Sequence, residues 1–240
     1  MMQPLPPSIR ELAAGGMGDL RLWLVDLREP DNVAATASTL ARDEIERMAR
    51  LRFEADRARY RRSHVALRRV LARELGVEPA ALRYTPDADG KPRLTWPAEP
   101  VDFNLSHCRD FALIGLSRML DVGVDIENAP SWNADELMQT ARGVLSASEL
   151  LDLQALPTPA RLGALMHAWT RKEACLKALG VGLSIEPSLV HVGLDAGTRR
   201  VPLPVAEGRE ASADLVSLCD AAGDGFIAAA ACIDRGVIHS

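Results

Sequence analysis

The sequence predicts an α+β protein made of two similar α/β halves in a pseudo-twofold arrangement, with the active site in the cleft between them, and three observations carry that prediction. The predicted elements run strand, helices, strands, and then strand, helices, strands again. A long helical stretch in each half stops at a glycine, Gly76 in one and Gly180 in the other. Charge divides in the same place: residues 1–120 carry 19 basic and 17 acidic side chains, whereas residues 121–240 carry 9 and 16. The halves meet near residue 120 with no residue-level repeat between them. The expected organisation is a loose segment over 1–19, an N-terminal half over 20–120 and a C-terminal half over 121–240.

The elements follow in order. After a Pro- and Gly-rich start, "LRLWLVDL" (20–27) reads as a strand, and helical stretches follow near 38–52 and 54–75. In the second, Val65, Leu67, Val70, Leu71 and Leu75 set an apolar face against arginines, with Gly76 as the stop. "LRYTPDADGKPRLTW" gives two short extended pieces around a turn at Asp87–Pro92. "VDFNLSH" (101–107), "FALIGLS" (111–117) and "DVGVDIE" (121–127) read as three strands in a meander. Beyond Pro130 the chain turns helical. Ser146 and Glu149 are spaced as a capping box, and Thr158–Pro159 opens a long helix ending before Gly180. "SLVHVGL", "RRVPLPV", "ADLVSLCD" and "GFIAAAACI" read as strands again.

Composition excludes several classes. A chain of 240 residues with 48% apolar and 25% charged residues is an ordinary globular protein able to bury a core. Aromatic content of 4% and a net charge of −5 argue against nucleic acid as a partner. Cys108, Cys175, Cys219 and Cys232 form no C-x-x-C pair, so neither a zinc site nor a redox dithiol is suggested. The first residues lack the basic start and apolar run of a signal peptide, and no apolar run is long enough to span a membrane. A cytoplasmic location without membrane association is the expectation.

The chemistry concentrates in four short segments. Of 28 basic residues only Lys91, Lys172 and Lys177 are lysine, so each lysine invites a specific explanation, although compositional bias alone would also leave a few. Lysine presents a compact point charge suited to a single phosphate oxygen. In "GVDIE", Asp125 and Glu127 share one face of a strand, with Val124 and Ile126 behind them. Such a pair suits a hard cation such as Mg²⁺, which prefers a few carboxylates plus waters and phosphate oxygens, and a solvated acidic face would read the same. In "WTRKEACLK", Trp169, Glu173 and Lys177 fall four apart on one helix stripe, where Glu173 could complete a carboxylate site or simply pair with Lys177. "FNLSH" places Ser106 and His107 at a strand end, able to meet a phosphate. No nucleophile elbow, P-loop or dinucleotide fingerprint is present, so phosphate would be held by side chains and isolated amides.

Taken together, "GKP", "FNLSH", "GVDIE" and "WTRKEACLK", with Glu173 placed 48 positions after Asp125, form a pattern that resembles the 4′-phosphopantetheinyl transferases of the surfactin-synthetase activator type, the monomeric class with two similar halves. The resemblance runs from about Leu20 onward. It implies transfer of 4′-phosphopantetheine from coenzyme A to a serine of an acyl, peptidyl or aryl carrier protein, releasing adenosine 3′,5′-bisphosphate. It implies Mg²⁺ held by Asp125, Glu127 and Glu173, with Lys177 on the pyrophosphate and Glu173 the candidate base for the serine proton. It sets Ser106 and His107 against the 3′-phosphate, Lys91 and Pro92 beside the adenosine end, and Arg59 as the phosphate-binding arginine, with Arg61 and Arg62 as alternatives. All three lysines then fall in motifs expected to surround coenzyme A.

The pattern departs from some relatives, which carry lysines before "RF" where this chain has Glu46 and Ala49; Arg47, Arg50 or Arg52 could substitute. For the carrier, "SWNADELMQTARGVLS" (131–146) offers Leu137, Met138, Val144, Leu145 and Arg142, either as an exposed docking face or as an ordinary amphipathic helix. A monomer is expected, because tandem halves can build a cleft that a one-half protein would need a symmetric partner to complete. Two further functions fit the same residues: a Mg²⁺-dependent nucleotide pyrophosphate hydrolase, and a coenzyme A binding module without catalysis.

Overall fold

A computed structural model describes residues 4–29, 38–180, 185–204, 211–219 and 225–235. The chain enters through β1 (Ile9–Leu12) and β2 (Arg21–Asp26) and continues into α1 (Arg42–Ala49) and α2 (Glu54–Leu75). A small hairpin of β3 (Arg83–Pro86) and β4 (Pro92–Trp96) leads to β5 (Asp102–His107), β6 (Phe111–Ser117) and β7 (Leu120–Asn128). Helices α3 (Ala134–Val144), α4 (Ala147–Ala155) and α5 (Thr158–Leu179) follow, and β8 (Arg199–Leu203), β9 (Ala211–Cys219) and β10 (Phe226–Asp234) close the described chain.

The two long helices stop where the sequence places their stops. Gly76 (φ 70°) and Gly180 (φ 73°) both take the left-handed conformation, which glycine reaches without a Cβ penalty. The capping box of α4 forms: Ser146 Oγ accepts the Glu149 amide and the Glu149 carboxylate accepts the Ser146 amide. Helix α5 begins one residue earlier than expected, with Pro157 as its boundary residue and Thr158 inside the first turn.

Two four-stranded sheets carry the fold, ordered β1-β2-β6-β5 and β7-β10-β9-β8. In each half the strand before the helices pairs antiparallel with the last strand, β2 with β6 and β7 with β10. The penultimate strand lies on the far side of that last one, β5 in one half and β9 in the other. This shared topology is the pseudo-twofold relation that the element order predicts.

The predicted meander therefore breaks at residue 120. Strands β5 and β6 form a hairpin, but β7 leaves them and opens the second sheet. The N-terminal segment also differs from expectation, since Ile9–Leu12 pairs with β2 in the register Ile9↔Val25 to Leu12↔Leu22. "SLVHVGL" is not a strand: after a 3₁₀ turn at Pro187–Leu189 its backbone runs irregularly.

Four layers result. Trp23, Val25 and Ile114 on the outer face of the first sheet pack against Leu67, Val70 and Leu71 of α2. The inner face contributes Leu22, Leu24 and Leu113 to a core shared with Val122, Val124, Ile126, Ala228 and Ala230 of the second sheet. The outer face of that sheet, through Ala229, Ala231 and Ile233, packs against α5. Among the described residues no helix is long and apolar enough to cross a membrane.

Candidate active site

Edge strands β5 and β7 lie side by side where the halves meet, and side chains take the place of a backbone ladder between them. Alternate residues of β5 face β7. Asp102 Oδ2 accepts the Val122 amide at 2.6 Å, Asn104 Oδ1 accepts the Val124 amide at 3.0 Å, and Ser106 Oγ donates to Asp125 Oδ1 at 2.9 Å. These contacts give "DFNLS" a polar period of two opposite Phe103 and Leu105. On the other face of β7, Gly123 lets α5 come into contact: a Cβ there would stand 2.0 Å from the Ala174 carbonyl oxygen and 2.4 Å from the Ala178 amide. That approach sets Glu173 and Lys177 beside Asp125 and Glu127.

The charges at this junction are crowded. Lys177 Nζ donates to Asp125 Oδ1 at 2.6 Å and to Ser106 Oγ at 3.3 Å, turning to β7 and not to Glu173 on its own helix. Asp125 is 3% exposed, and its Oδ2 is buried without a hydrogen-bond partner among the described residues. Burial, then the Asp125 charge, pushes Glu127 up to about 7, with Lys177 opposing. Glu173 is also raised, by burial and by Asp125 against the pull of Lys177. Two carboxyls raised by burial and by the charge of Asp125, whose own buried oxygen lacks a partner among the described residues, mark a place short of positive charge. A hard cation with open positions for water and phosphate fits that deficit. Among the described residues no three such side chains stand in a preformed metal cage.

Beside this cluster a cavity of about 530 Å³ opens into the N-terminal half between α1, α2 and β3–β5. Arg59 and His107 line it together with Arg47, Tyr60, His64 and Pro92. Arg59 is held by Asp56 at 2.9 Å and by the Arg109 carbonyl at 3.3 Å. Of the alternatives, Arg62 donates to the Leu27 carbonyl and Arg61 is buried away from the lining, so Arg59 is the one of the three at the cavity. Arg47 is likewise the lining member of the trio that could replace the missing lysines, while Arg52 lies over the Phe53 ring. Burial, then the charges of Arg59 and Lys177, holds His107 below the usual imidazole value.

Two of the three lysines do not face this site. Gly90 and Pro92 line the cavity, but the intervening Lys91 points away, with its ammonium buried on Asp102 Oδ2 at 2.6 Å. The expectation that Lys91 stands beside an adenosine end is corrected accordingly. Lys172 is fully buried and pairs with Glu149 at 2.7 Å inside the C-terminal half. Only Lys177 reaches the cluster.

Segment 131–146 resolves to the ordinary amphipathic helix. Leu137, Val144 and Leu145 are buried in the C-terminal core with Met138 packed against it, and Arg142 is exposed. Sequence reasoning missed the Asp102–Asn104 contacts, Tyr60, His64 and the buried role of Lys91. The first was legible as alternation in "VDFNLSH"; the others depend on which faces of β3–β4 and α2 meet.

Comparison with known proteins gives the same picture from an independent direction. Residues 121–228 match the family model of the 4′-phosphopantetheinyl transferase superfamily, and residues 29–118 match that of the 4′-phosphopantetheinyl transferase N-terminal region. The chain is 30% identical over 184 residues to the 4′-phosphopantetheinyl transferase HetI of Nostoc sp., covering 75% of each chain. It is 29% identical over 178 residues to a 4′-phosphopantetheinyl transferase of Bacillus subtilis, covering 73% of this chain and 75% of that one. A human L-aminoadipate-semialdehyde dehydrogenase-phosphopantetheinyl transferase is 26% identical over 152 residues, 60% of this chain and 49% of its own. With carboxylates, lysine and cavity disposed across two halves of like topology, the chain belongs to the 4′-phosphopantetheinyl transferase superfamily.

Proposed function

We propose that the enzyme transfers 4′-phosphopantetheine from coenzyme A to a serine hydroxyl of an acyl, peptidyl or aryl carrier protein with the help of Mg²⁺. One observation carries the reading: three carboxylates and a lysine crowd the junction of the halves, with one buried carboxylate oxygen unpaired among the described residues, next to His107 and the cavity of about 530 Å³ that it lines. Asp125, Glu127 and Glu173 would hold the metal. When bound, Mg²⁺ neutralises charge on the pyrophosphate and on the leaving phosphate.

The protein's own residues do the rest. Lys177 sets a fixed positive charge where negative charge grows on the bridging oxygen, a position at which a preorganised charge acts most strongly. Arg59, His107 and Ser106 take the 3′-phosphate, and Arg47 serves on the side where some relatives carry lysines. The cavity holds the nucleotide. The serine oxygen bonds to the β-phosphorus, the bond from that phosphorus to the bridging oxygen breaks, and adenosine 3′,5′-bisphosphate leaves. Glu173 takes the serine proton; burial holds its carboxyl above the usual range, the direction a base needs, although binding a metal would lower it again. The enzyme acts as a monomer, since one chain supplies both walls of the cleft.

The test is to incubate the protein with coenzyme A, Mg²⁺ and a panel of apo carrier proteins and to weigh each carrier intact, with and without EDTA. A gain of one phosphopantetheine that EDTA prevents, and that a serine-to-alanine carrier lacks, is expected. Hydrolysis of coenzyme A with no carrier modified would replace the reading with a pyrophosphate hydrolase. In the same assay Glu173→Gln should lower turnover by about 100-fold or more while coenzyme A still binds.

A further inference from the structure

Lys91 leaves the hairpin between β3 and β4 and ends in the seam between the halves. The residue is 6% exposed, and its ammonium has three acceptors on three different elements: Asp102 Oδ2 of β5 at 2.6 Å, the Val122 carbonyl of β7 at 3.0 Å and the Ala178 carbonyl of α5 at 3.4 Å. Three acceptors use the three protons that an ammonium carries. The stem runs along the end of α5, where a Cβ on Gly180 would meet Lys91 Cδ at 3.4 Å. Asp102 in turn accepts the Val122 amide at 2.6 Å and Arg93 at 2.7 Å.

The two carbonyls are well placed to matter. Ala178 follows Lys177 on α5, and Val122 precedes Asp125 by one turn of the strand pleat and a residue on β7. We propose that Lys91 is a positioning residue, a clasp whose buried ammonium ties the N-terminal half to β7 and to the last turn of α5 and so fixes where Asp125 and Lys177 stand. The inference rests on the phosphopantetheinyl transfer reading for its catalytic consequence. The clasp itself rests only on the contacts just given.

The choice of side chain is consistent with the role. In a chain with 25 arginines among 28 basic residues, lysine appears here because three acceptors diverge around one point. An ammonium is compact and can turn its three protons to acceptors gathered around a single atom, whereas a guanidinium spreads its donors over a wider, planar fork. Gly90 and Pro92 on either side line the cavity, so the backbone of the hairpin borders the nucleotide space while the side chain leaves it. A clasp and a ligand contact therefore predict different losses.

Lys91→Met removes the charge and keeps the stem length. The clasp predicts a kcat at least about ten-fold lower at saturating coenzyme A and carrier, because a small displacement of reacting groups is enough for such a loss. It predicts a higher Mg²⁺ concentration for half-maximal activity. Affinity for adenosine 3′,5′-bisphosphate, measured by calorimetry, stays within about two-fold, because the clasp and the cavity wall share no side chain. Hydrogen exchange at the amides of residues 122–125 and 177–180 speeds up by about ten-fold or more, reporting local opening. Lys91→Arg keeps the charge opposite Asp102, so it should remain folded if the Met variant does not, and it should show the same pattern in smaller measure.

Two results would overturn the proposal. If affinity for the bisphosphate falls in step with kcat, Lys91 contacts the nucleotide. If neither exchange nor kcat changes in folded variants, the contacts position nothing. A wild-type protein that modifies no carrier would instead remove the transfer reading, and exchange at residues 122–125 and 177–180 would still decide the clasp.

Discussion

At the scale of single residues, titratable groups here are tuned by what surrounds them, and His64 gives the cleanest case. Its ring stacks on Tyr60 with centroids 3.7 Å apart, and Nδ1 donates to the Tyr60 carbonyl at 3.0 Å. Burial, with Arg47, Arg68 and His107 adding positive charge, pushes the imidazole from 6.5 down to about 4. Between those values the unfolded chain binds a proton that the folded chain refuses, so this residue makes stability fall as pH drops from 6.5 toward 4 and contributes no slope above 6.5. By pH 4.5 the loss amounts to about 2 to 3 kcal/mol. His64→Phe keeps a ring on Tyr60 and removes the proton. Urea unfolding at pH 7 and pH 4.5 should show the variant losing about 2 kcal/mol less than wild type; equal losses would mean that His64 charges inside the fold. Residue identity made the carboxylates and Lys177 legible in advance, because spacing on a strand and a helix fixes which side chains share a face. It could not separate Lys177 from Lys91 and Lys172. Each of the three has a carboxylate partner, and only the fold decides which pair joins the carboxylate cluster and which are buried elsewhere.

At the scale of elements, the approach of α5 to β7 is the contact on which the site depends. Gly123 has no room for a methyl group, since the atoms in the way at 2.0 and 2.4 Å are backbone of α5 and cannot swing aside. Gly123→Ala should cost about 3 kcal/mol or more and lower transfer as well, because lifting α5 carries Glu173 and Lys177 away from Asp125. Gly163 lies in the same helix with open space around its missing Cβ. There alanine should raise stability by about 0.5 to 1 kcal/mol, so thermal melts of the two variants should move in opposite directions. Elements set by local sequence were legible to within a residue or two, as α2 and α5 were from their apolar faces and glycine stops. Those set by remote partners were not. The segment "SLVHVGL" has strand composition, yet Lys172 takes the carbonyls of Pro187 and Val190, Glu149 takes the amides of Val192 and Gly193, and Arg171 takes the Val192 carbonyl. With those groups bonded to side chains, little backbone remains for a ladder. Strand β7 was read correctly as a strand and wrongly as a neighbour of β6, because its ladder partner β10 lies about a hundred residues further along.

At the scale of the whole molecule, the two halves are alike in topology but not separate in their cores. Leu22, Leu24 and Leu113 from one sheet and Val122, Val124, Ile126, Ala228 and Ala230 from the other form a single apolar layer. Neither sheet could keep that face covered alone, and exposing it would forfeit about 25 cal/mol for each Å² of apolar surface. Polar contacts reinforce the seam around the start of β7. Arg235, at the end of the second half, donates to the Pro100, Ser117, Arg118 and Leu120 carbonyls, and Lys91 joins β5 to β7 and α5. The halves should therefore unfold as one cooperative unit, although two family models divide the sequence at the same boundary. Trp23 is buried in the first half and Trp169 packs against the core of the second, so 5-fluorotryptophan NMR offers a separate resonance for each, assigned by substitution with Phe. Across a urea titration the two native resonances should vanish with the same midpoint and slope. A midpoint for Trp23 separated from that of Trp169 would mean that the shared layer adds less than either half's own core, and that the cleft can open by loss of one half while the other stays folded.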